Sequence, residues 1–377
     1  MRILVNALST TNLSGRYVLL GHLTNLAKWT SGKHYYTVLY HKENRDICQN
    51  LGGNVKWMEC PDYTANWAGR VWWEQTVLPG KLVKLSIDFI FMMSGAVVPF
   101  LRLPQVSLAM NPVPLINGLE HNTIGSIKVA LQKRGYKKAM STATMMFFLS
   151  EYMRQMYRQN AGFCEKESEV VYAGINEDTF KASERIRTLI VKKPFQIITV
   201  SVMAPHKGIE TLVRAIDYVK RSYKVPVQLL VVGPWPDKSY ESKINKLVAE
   251  LNLKDIVKFK GYATREKLNQ YYAESRLFCL ISRSESFGIP AVEAQVFGLP
   301  VVSSNCCAIP EVCGKGGIYR EPNDVQGIAL EIFNLLTDDN KCKEISEAAK
   351  LNAERFRWEK SSRPLLRMFD AAANGNT

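Results

Sequence analysis

The chain has 377 residues, of which 22% are charged and 46% are hydrophobic. This is the composition of a folded globular protein, and at about 150 residues per domain the length predicts two domains. The formal net charge is +14. Such a charge fits a nucleic acid, an anionic membrane face or a phosphorylated small molecule as partner, and charge alone leaves all three open.

The cysteines and histidines do not form the patterns of a metal site or a disulfide framework. Eight cysteines are scattered without CxxC pairs, and five histidines show no metal-ligand spacing. The opening MRILVNALS is typical of a first strand and lacks the apolar core of a signal peptide. No run approaches the roughly 18 apolar residues that a membrane-spanning helix needs. We therefore expect a reduced, cytoplasmic protein.

Short β-branched runs alternate with amphipathic helical patterns along the chain, which predicts parallel βαβ units. The predicted strands of the first half are RILVNA, YYTVLYH, VKWMEC, DFIFMMS, QVSLAM, MMFFLS and EVVYAG. Those of the second half are QIITVSV, VQLLVVG, VKFKGY, LFCLIS and PVVSSN. We predict an α/β fold with two Rossmann-like, doubly wound parallel-sheet domains that face each other across a cleft. Ligands of such sheets bind at the carboxyl ends of the strands.

The domain boundary is predicted at the polar stretch NEDTFKASERIRTLIVKKP, residues 176–194, which has no strand pattern. We interpret this stretch as an interdomain linker. The N-terminal domain then covers residues 1–175, and the C-terminal domain covers residues 195–356. A last helical pattern follows in residues 357–377, and we expect it to pack back on the N-terminal domain.

The stretch ESFGIPAVEAQVFG, which begins at Glu285, follows the predicted strand LFCLIS. It predicts a helix from near Gly288 to Phe297. The backbone N–H groups of Phe287, Gly288 and Ile289 would then lie at a helix N-terminus. Unpaired donors and the helix dipole favour an anion such as a phosphate there.

Two acids in this stretch have both a structural and a functional interpretation. Structurally, Glu285 would cap the helix and Glu293 would be an exposed helical residue. However, Glu293 lies among apolar residues on a face that the pattern predicts to be buried, where a carboxylate is unusual unless it is paired or ligand-bound. The residues alone leave the two interpretations open, since acids mark functional sites only statistically.

The stretch ESFGIPAVEAQVFGLPVVSS resembles the E-x7-E signature of retaining glycosyltransferases of family 4, which have the two-domain GT-B fold. The resemblance covers nearly the whole chain, because further motifs are similar to the family's landmarks in the expected order. They are MRILVNALS with SGRY, WWEQTVLPGKL, AMNPVPL, FFLSEYMRQ, VVYAGINEDTF, APHKGIETLVRAI, FKGYATREKLNQYYAES and IPEVCGKGGIYREPND.

The resemblance implies transfer of a sugar from a nucleotide diphosphate donor to a hydroxyl acceptor, with retention of the anomeric configuration. It implies that Glu285 contacts the transferred sugar and that Lys207 pairs with the diphosphate as the leaving group gains charge. Glu293 would hold the ribose hydroxyls. The other donor-binding residues implied are Gly15, Arg16, Ser201, Ser286, Phe287, Gly288 and Ile289. The family's fold works without a bound metal or other cofactor, in agreement with the lack of a DxD-like acidic pair at a strand end.

The chain departs from the family at Val202, where many members have an arginine five positions before the lysine. Either Arg283, His206 or Arg16 substitutes for it, or the affinity for the donor is lower. On the acceptor side, Asn111 stands where many members have a histidine, and an amide cannot act as a base. A mechanism in which the leaving phosphate accepts the proton does not need one.

Further acceptor-side and membrane contacts are predicted in the N-terminal domain. His121 is a candidate to line the acceptor site, with an ordinary surface residue as the alternative. The segment Lys128–Arg158 contains seven basic residues and one acid. This segment is either a solvated helix face or a peripheral contact with an anionic membrane.

The expected partners are a UDP-, GDP- or dTDP-sugar and a glycan or lipid-linked acceptor, such as a growing O-antigen, capsule or exopolysaccharide. Two alternatives stay open. The first is a nucleotide-sugar epimerase or a phosphorylase of the same fold. The second is a basic membrane- or nucleic-acid-binding protein, although no nucleic-acid motif is present and we expect no nucleic acid as partner.

Overall fold

A computed structural model describes residues 1–115, 123–162, 168–187 and 189–374. The chain divides into two compact units. The first unit contains Met1–Gly174 and the C-terminal segment that begins at Trp358, and the second unit is Ile175–Arg357. Each unit is an α/β domain with a parallel sheet, which confirms the fold class predicted from the alternating pattern.

The first unit is built on seven strands within the described residues, all paired in parallel. They are β1 (Arg2–Asn6), β2 (Tyr35–Tyr40), β3 (Val55–Glu59), β4 (Phe89–Met92), β5 (Gln105–Ala109), β6 (Met145–Phe148) and β7 (Ser168–Val170). Their order is β3-β2-β1-β4-β5-β6-β7, so the winding reverses between β1 and β4. Every residue of β4 and β5 is buried, as expected when helices cover both faces of a parallel sheet.

The helices of this part of the chain begin at polar caps where the sequence offers one. They are α1 (Leu13–Trp29), α2 (Trp67–Thr76), α3 (Leu78–Lys84), α4 (Thr123–Thr142) and α5 (Glu151–Ala161). Asn12 caps α1 by accepting a hydrogen bond from the N–H of Gly15. Ser150 caps α5 in the same way, accepting from the N–H of Met153. Such side chains satisfy backbone donors that have no partner within the helix.

The second unit has six parallel strands within the described residues, in the order β10-β9-β8-β11-β12-β13. They are β8 (Gln196–Val200), β9 (Gln228–Val232), β10 (Val257–Gly261), β11 (Leu277–Leu280), β12 (Val301–Ser304) and β13 (Gly317–Arg320). The sequence pattern predicted all of them except β13. This edge strand is short and only partly buried at each of its four positions, so it lacks the apolar run that identifies a buried strand.

The helices of the second unit bury their apolar faces against this sheet. They are α6 (Glu177–Arg187), α7 (Ile209–Tyr218), α8 (Lys238–Glu250), α9 (Arg265–Glu274), α10 (Ile289–Val296), α11 (Ile309–Cys313), α12 (Val325–Thr337) and α13 (Asp339–Ala353). Leu212 and Ile216 of α7 and Ile332 of α12 are at most 1% exposed and belong to one core with the strands. The core therefore holds the carboxyl ends of the strands in place.

The stretch interpreted as a linker, residues 176–194, is largely structured. Helix α6 occupies its first part and belongs to the second unit. Phe180 and Ser183 are buried, and the hydroxyl of Ser183 donates to the carbonyl of Val296 at 2.9 Å. The sequence conceals this helix because few of its residues are apolar, and a polar helix with a narrow buried face has the composition of a linker.

The C-terminal segment packs within the first unit as α14 (Trp358–Ser361) and α15 (Arg363–Ala373). The ring of Phe369 meets the edges of Phe89 and Phe91, with centroids 5.8 Å apart in both pairs. Trp358 lies so close to the backbone of Gly21 that a Cβ there would come within 2.1 Å of the indole. Among the described residues, we find no helix with both the length and the apolar character needed to cross a bilayer.

Candidate active site

The two predicted catalytic residues meet at the carboxyl edge of the second sheet. The winding reverses between β8 and β11, and ligands of open α/β sheets bind beyond the strand ends at such a point. Lys207 follows β8 and Glu285 follows β11. The Nζ atom of Lys207 lies 2.5 Å from Oε1 of Glu285, and the two side chains are only 15% and 14% exposed. The structure thus brings a cation and an anion together where a ligand is expected.

A tight turn positions Lys207. The next residue, Gly208, has a left-handed backbone with φ of 65° and is the N-cap of α7. A Cβ at Gly208 would lie 2.0 Å from the carbonyl oxygen of Ile281. Only glycine allows this approach of the turn to the end of β11, and the approach places Lys207 within reach of Glu285.

The N-terminus of α10 lies in the same loop as Glu285. The N-cap of this helix is Gly288, which has a left-handed backbone with φ of 96° and makes no side-chain cap hydrogen bond. The structural interpretation of Glu285 as a helix cap is therefore wrong. The Phe287 side chain is 1% exposed and packs against Phe356, with ring centroids 5.3 Å apart. At this position only the backbone would reach a ligand, and an uncapped helix start favours an anion.

Glu293 is buried and paired. The residue is 3% exposed, so its interpretation as an exposed helical residue is wrong. The Nη1 atom of Arg265 lies 2.6 Å from its Oε1 atom, and the hydroxyl of Tyr272 donates to Oε2 at 3.3 Å. Burial and the charge of Glu293 raise the pKa of Tyr272 well above its ordinary value. The tyrosine therefore stays a hydrogen-bond donor to the carboxylate.

Arg265 and Tyr272 were not predicted as site residues from the sequence. Both belong to α9, seven positions apart, so they lie on one face of that helix. A signal was present, because a buried glutamate needs a cationic or hydrogen-bonding partner. The sequence offers many arginines, however, and nothing local selects the one that lies 28 residues before Glu293.

Two of the three proposed substitutes for the arginine that is missing at Val202 have other partners. The Nη2 atom of Arg283 donates to Asn323 at 2.8 Å and to Thr211 at 3.3 Å. In the first unit, Arg16 donates to Asp46 at 2.8 Å. A further nitrogen of its guanidinium donates to the backbone carbonyl of residue 43 at 2.7 Å.

His206 is the substitute that lies beside the ion pair. Its pKa is lowered, first by burial and then by the charge of Lys207, while Glu285 acts in the opposite direction. The imidazole is therefore close enough to sense both charges. Ser201, another predicted donor contact, follows β8, and its hydroxyl donates to the sulfur of Met203 at 3.3 Å.

In the first unit, the predicted residues stand in different settings. Gly15 lies in the first turn of α1, not in the loop after β1, and its N–H donates to Asn12 at 2.6 Å. A Cβ at Gly15 would lie 2.7 Å from that same oxygen, so a side chain here would displace the capping amide of Asn12. Asn111 is exposed just after β5 and hydrogen bonds the hydroxyl of Tyr136. His121 lies outside the described residues.

Within the described ranges, no group of three or more histidine, cysteine, aspartate or glutamate residues is placed to hold a metal ion. Metal independence itself stays a prediction.

The site's residues fall within a region that matches a known family. Residues 180–352, which include Lys207, Glu285 and Glu293, match the family described as glycosyl transferases group 1. This part of the chain is therefore similar to that family. The region covers the second unit from α6 to α13, and with it every side chain of the candidate site in that unit.

The chain matches curated relatives over part of their length. The chain is 32% identical to the O-antigen chain mannosyltransferase B of Escherichia coli over 163 residues, which are 42% of each chain. It is 26% identical over 221 residues to the D-inositol 3-phosphate glycosyltransferase of Streptomyces bingchenggensis, which covers 55% of this chain and 48% of that protein. The matches thus span about half the length of these relatives or less.

Solved structures resemble this chain over its whole length. The sucrose-phosphate synthase of Thermosynechococcus elongatus has a TM-score of 0.75 at 18% identity, and the match covers all of both chains. The Anabaena protein HepE, solved with UDP-glucose, has a TM-score of 0.73 at 20% identity and covers 98% of this chain and all of its own. The fold is therefore GT-B, as the resemblance in the sequence implied.

Proposed function

We propose that this protein is a retaining, metal-independent glycosyltransferase that moves a sugar from a nucleotide diphosphate donor to a hydroxyl acceptor. One observation carries the proposal. The shielded Lys207–Glu285 pair lies at the switch point of the second sheet, in the loop that leads to the uncapped start of α10. A cation, a carboxylate and a helix N-terminus at one strand edge suit a ligand with an anionic diphosphate and a reacting sugar.

In the reaction, the bond between the anomeric carbon and the diphosphate oxygen breaks, and the nucleotide diphosphate leaves with the electron pair. Lys207 turns from Glu285 to the diphosphate and balances its growing charge. The backbone at Gly288 and Ile289 binds further phosphate oxygens at the positive end of the α10 dipole. Glu285, released from the lysine, stabilises positive charge at the anomeric carbon. The acceptor oxygen attacks from the face that the diphosphate leaves, and its proton passes to the departing phosphate.

Glu293 binds the ribose in this proposal. Its carboxylate accepts hydrogen bonds from the ribose hydroxyls, while Arg265 and Tyr272 hold it in place. The ion pair with Arg265 compensates the buried carboxylate, because an unpaired charge in this position would be strongly disfavoured. Arg265 has a side chain that is 45% exposed, so its outer part lies at the surface beside the bound nucleotide.

The names of the relatives suggest the substrates to test first. One relative is an O-antigen chain mannosyltransferase, and one structural neighbour was solved with UDP-glucose. We therefore propose a lipid-linked or growing bacterial surface glycan as acceptor. Mannosyl and glucosyl nucleotides are the first donors to compare, with UDP, GDP and dTDP as the bases.

A face of α4 supports a peripheral contact with an anionic membrane, where a lipid-linked acceptor would be presented. Ile127 and Leu131 are 54% and 42% exposed, and Arg134 and Lys138 are exposed on the same face of the helix. Apolar side chains beside basic ones are the pattern of helices that lie in a membrane interface. We propose that this α4 face contacts anionic lipid head groups.

A binding screen followed by a transfer assay tests the function. A nucleotide that binds the folded state alone raises the apparent melting temperature, so we expect one of UDP, GDP and dTDP at millimolar concentration to raise it most. The matching nucleotide sugar should then yield a glycosylated acceptor and free nucleotide diphosphate by mass spectrometry. The absence of any shift would overturn the proposal. A changed sugar that is still attached to its nucleotide would identify an epimerase instead.

A further inference from the structure

Two adjacent cysteines lie beside the candidate active site. Cys306 and Cys307 stand between the end of β12 and the start of α11, and both are partly exposed. Both thiols are directed at one acceptor, the carbonyl oxygen of Ser282, with sulfur–oxygen distances of 3.5 Å and 4.0 Å. Two thiols that share one acceptor lie next to each other in space as well as in the chain.

The pair differs chemically from the other described cysteines. A hydrogen bond from the Cys307 thiol is the largest cause that lowers the pKa of Cys306, to about 6. The same bond raises the pKa of Cys307. When one of the two thiols ionises it is therefore Cys306, while Cys307 keeps its proton, and a thiolate is the reactive form of cysteine. By contrast, Cys48 is also partly exposed, but burial raises its pKa.

Backbone hydrogen bonds connect the pair to the catalytic residues. The N–H of Ala308, directly after the pair, donates to the carbonyl of Glu285 at 3.2 Å. Ser282, whose carbonyl both thiols contact, donates through its hydroxyl to the carbonyl of His206 at 3.2 Å. The loop that holds the thiols thus contacts the chain at Glu285 directly and the chain at His206 through Ser282.

We propose that Cys306 and Cys307 form a modification site for hydroperoxides, which convert the pair reversibly to a disulfide and thereby decrease sugar transfer. The decrease in sugar transfer rests on the proposed function, whereas the thiol chemistry does not. The geometry that carries the proposal is the adjacency of the two partly exposed thiols and the hydrogen bond from Ala308 to Glu285.

The oxidation proceeds in two steps. The Cys306 thiolate attacks one oxygen of the hydroperoxide, the O–O bond breaks, and sulfur is oxidised to a sulfenic acid as hydroxide or an alkoxide leaves and takes a proton from solvent. The sulfur of Cys307 then attacks the Cys306 sulfur. The S–O bond breaks, and the leaving hydroxide takes the Cys307 proton to form water. One hydroperoxide is reduced for each disulfide formed.

Reduction of this disulfide by thiols should be easy. Adjacent Cα atoms lie about 3.8 Å apart across a trans peptide, closer than the roughly 4.4–6.8 Å of ordinary disulfides. A disulfide between Cys306 and Cys307 closes a small ring that must distort the backbone. Strained, accessible disulfides are readily reduced. Cys307 already has a left-handed backbone, with φ of 59°. Closing the ring would shift Ala308 and with it the backbone that holds Glu285.

The chemical test uses the folded full-length protein treated with one equivalent of hydrogen peroxide, then alkylation, digestion and mass spectrometry. We expect the peptide that contains both cysteines to lose two hydrogens at least about tenfold faster than Cys48 is oxidised, since reactivity follows the thiolate. Cys307→Ser should instead retain a sulfenic acid on Cys306 that dimedone captures. Cys48→Ser is the matched control and should behave as the parent. Equal oxidation of this peptide and Cys48 in the unaltered protein would overturn the proposal.

The functional test compares each protein with its own untreated sample. Transfer by the parent and by Cys48→Ser should fall as the disulfide forms and return with dithiothreitol, whereas transfer by Cys306→Ser should not respond to peroxide. Full disulfide formation with unchanged transfer would overturn the link to catalysis. If the untreated protein shows neither transfer nor nucleotide binding, the proposed function fails, and the chemical test still decides the thiol site.

Discussion

Lys207 and Glu285 are 78 positions apart in the chain, yet their charged atoms lie 2.5 Å apart. Each side chain is about 15% exposed, so water screens the pair less than it screens a surface pair. Without a ligand, each residue balances the charge of the other. A bound diphosphate offers the lysine a second anion, and the carboxylate then becomes available to the sugar. The ion pair therefore links binding of the diphosphate to release of Glu285.

Replacing Lys207 with methionine should lower the rate of transfer. The change keeps the length of the side chain and removes the cation that balances the leaving diphosphate, which predicts a loss of about 100-fold in kcat. Lys193→Met is a matched control, because Lys193 forms a 2.7 Å pair with Glu274 in the same unit and is 56% exposed. Steady-state kinetics measures both variants. Equal rates for Lys207→Met and the control would contradict the assigned role.

Replacing Glu293 with glutamine should weaken binding of the nucleotide itself. The amide keeps the shape but donates where the ribose hydroxyls need an acceptor, and we expect a dissociation constant about tenfold higher. Glu331→Gln is the control, since Glu331 is equally buried at 4% and is paired with Arg320 and Lys341. Calorimetric titration with the preferred nucleotide diphosphate measures the dissociation constant of both variants. Equal weakening in both variants would mean that the effect is loss of stability and not loss of a contact.

Replacing Glu285 with glutamine should have the opposite signature. The nucleotide diphosphate does not contact this carboxylate in the proposed mechanism, and loss of the competing anion frees Lys207. The affinity for the nucleotide should therefore not fall, while kcat falls by about 100-fold. Titration with the nucleotide and steady-state kinetics on one preparation give both numbers. A loss of nucleotide affinity as large as that of Glu293→Gln would contradict the division of roles between the two acids.

The fold was predictable from the sequence to a greater extent than the contacts in the site. Buried parallel strands are near-continuous apolar runs, which reveals their number and order along the chain, and β13 escaped because it is a partly buried edge strand. The sequence also predicted Lys207 and Glu285 as site residues. Their contact, and the pairing of Glu293 with Arg265, depend on turns such as the one at Gly208. Such tertiary geometry leaves no local pattern.

Replacing Lys138 with alanine should weaken binding to anionic vesicles. Each basic residue near such a surface contributes about 1 kcal/mol, so the partition coefficient should fall about fivefold. Lys246→Ala removes the same charge from α8 in the second unit, where Lys246 is 79% exposed, and serves as the control. Sedimentation with vesicles of phosphatidylglycerol and phosphatidylcholine measures both. Equal losses would show that net charge, and not the α4 face, determines binding.

His22 should make the first unit less stable in mild acid. It is fully buried, its Nδ1 atom lies 3.0 Å from the hydroxyl of Ser362, and burial lowers its pKa from 6.5 to about 3. Between these values the unfolded chain binds a proton that the folded chain does not. Stability is therefore lost as the pH falls below 6.5, by about 1.4 kcal/mol per unit, or about 2 kcal/mol at pH 5.

The replacement His22→Gln keeps a hydrogen-bonding group beside Ser362 and cannot titrate, so it should remove this part of the loss. Urea unfolding of the parent and the variant at pH 7 and pH 5 measures the difference. Other titrating groups, including the buried His34, are present in both proteins and cancel. If both proteins lose the same free energy of unfolding between the two pH values, His22 is not the group responsible.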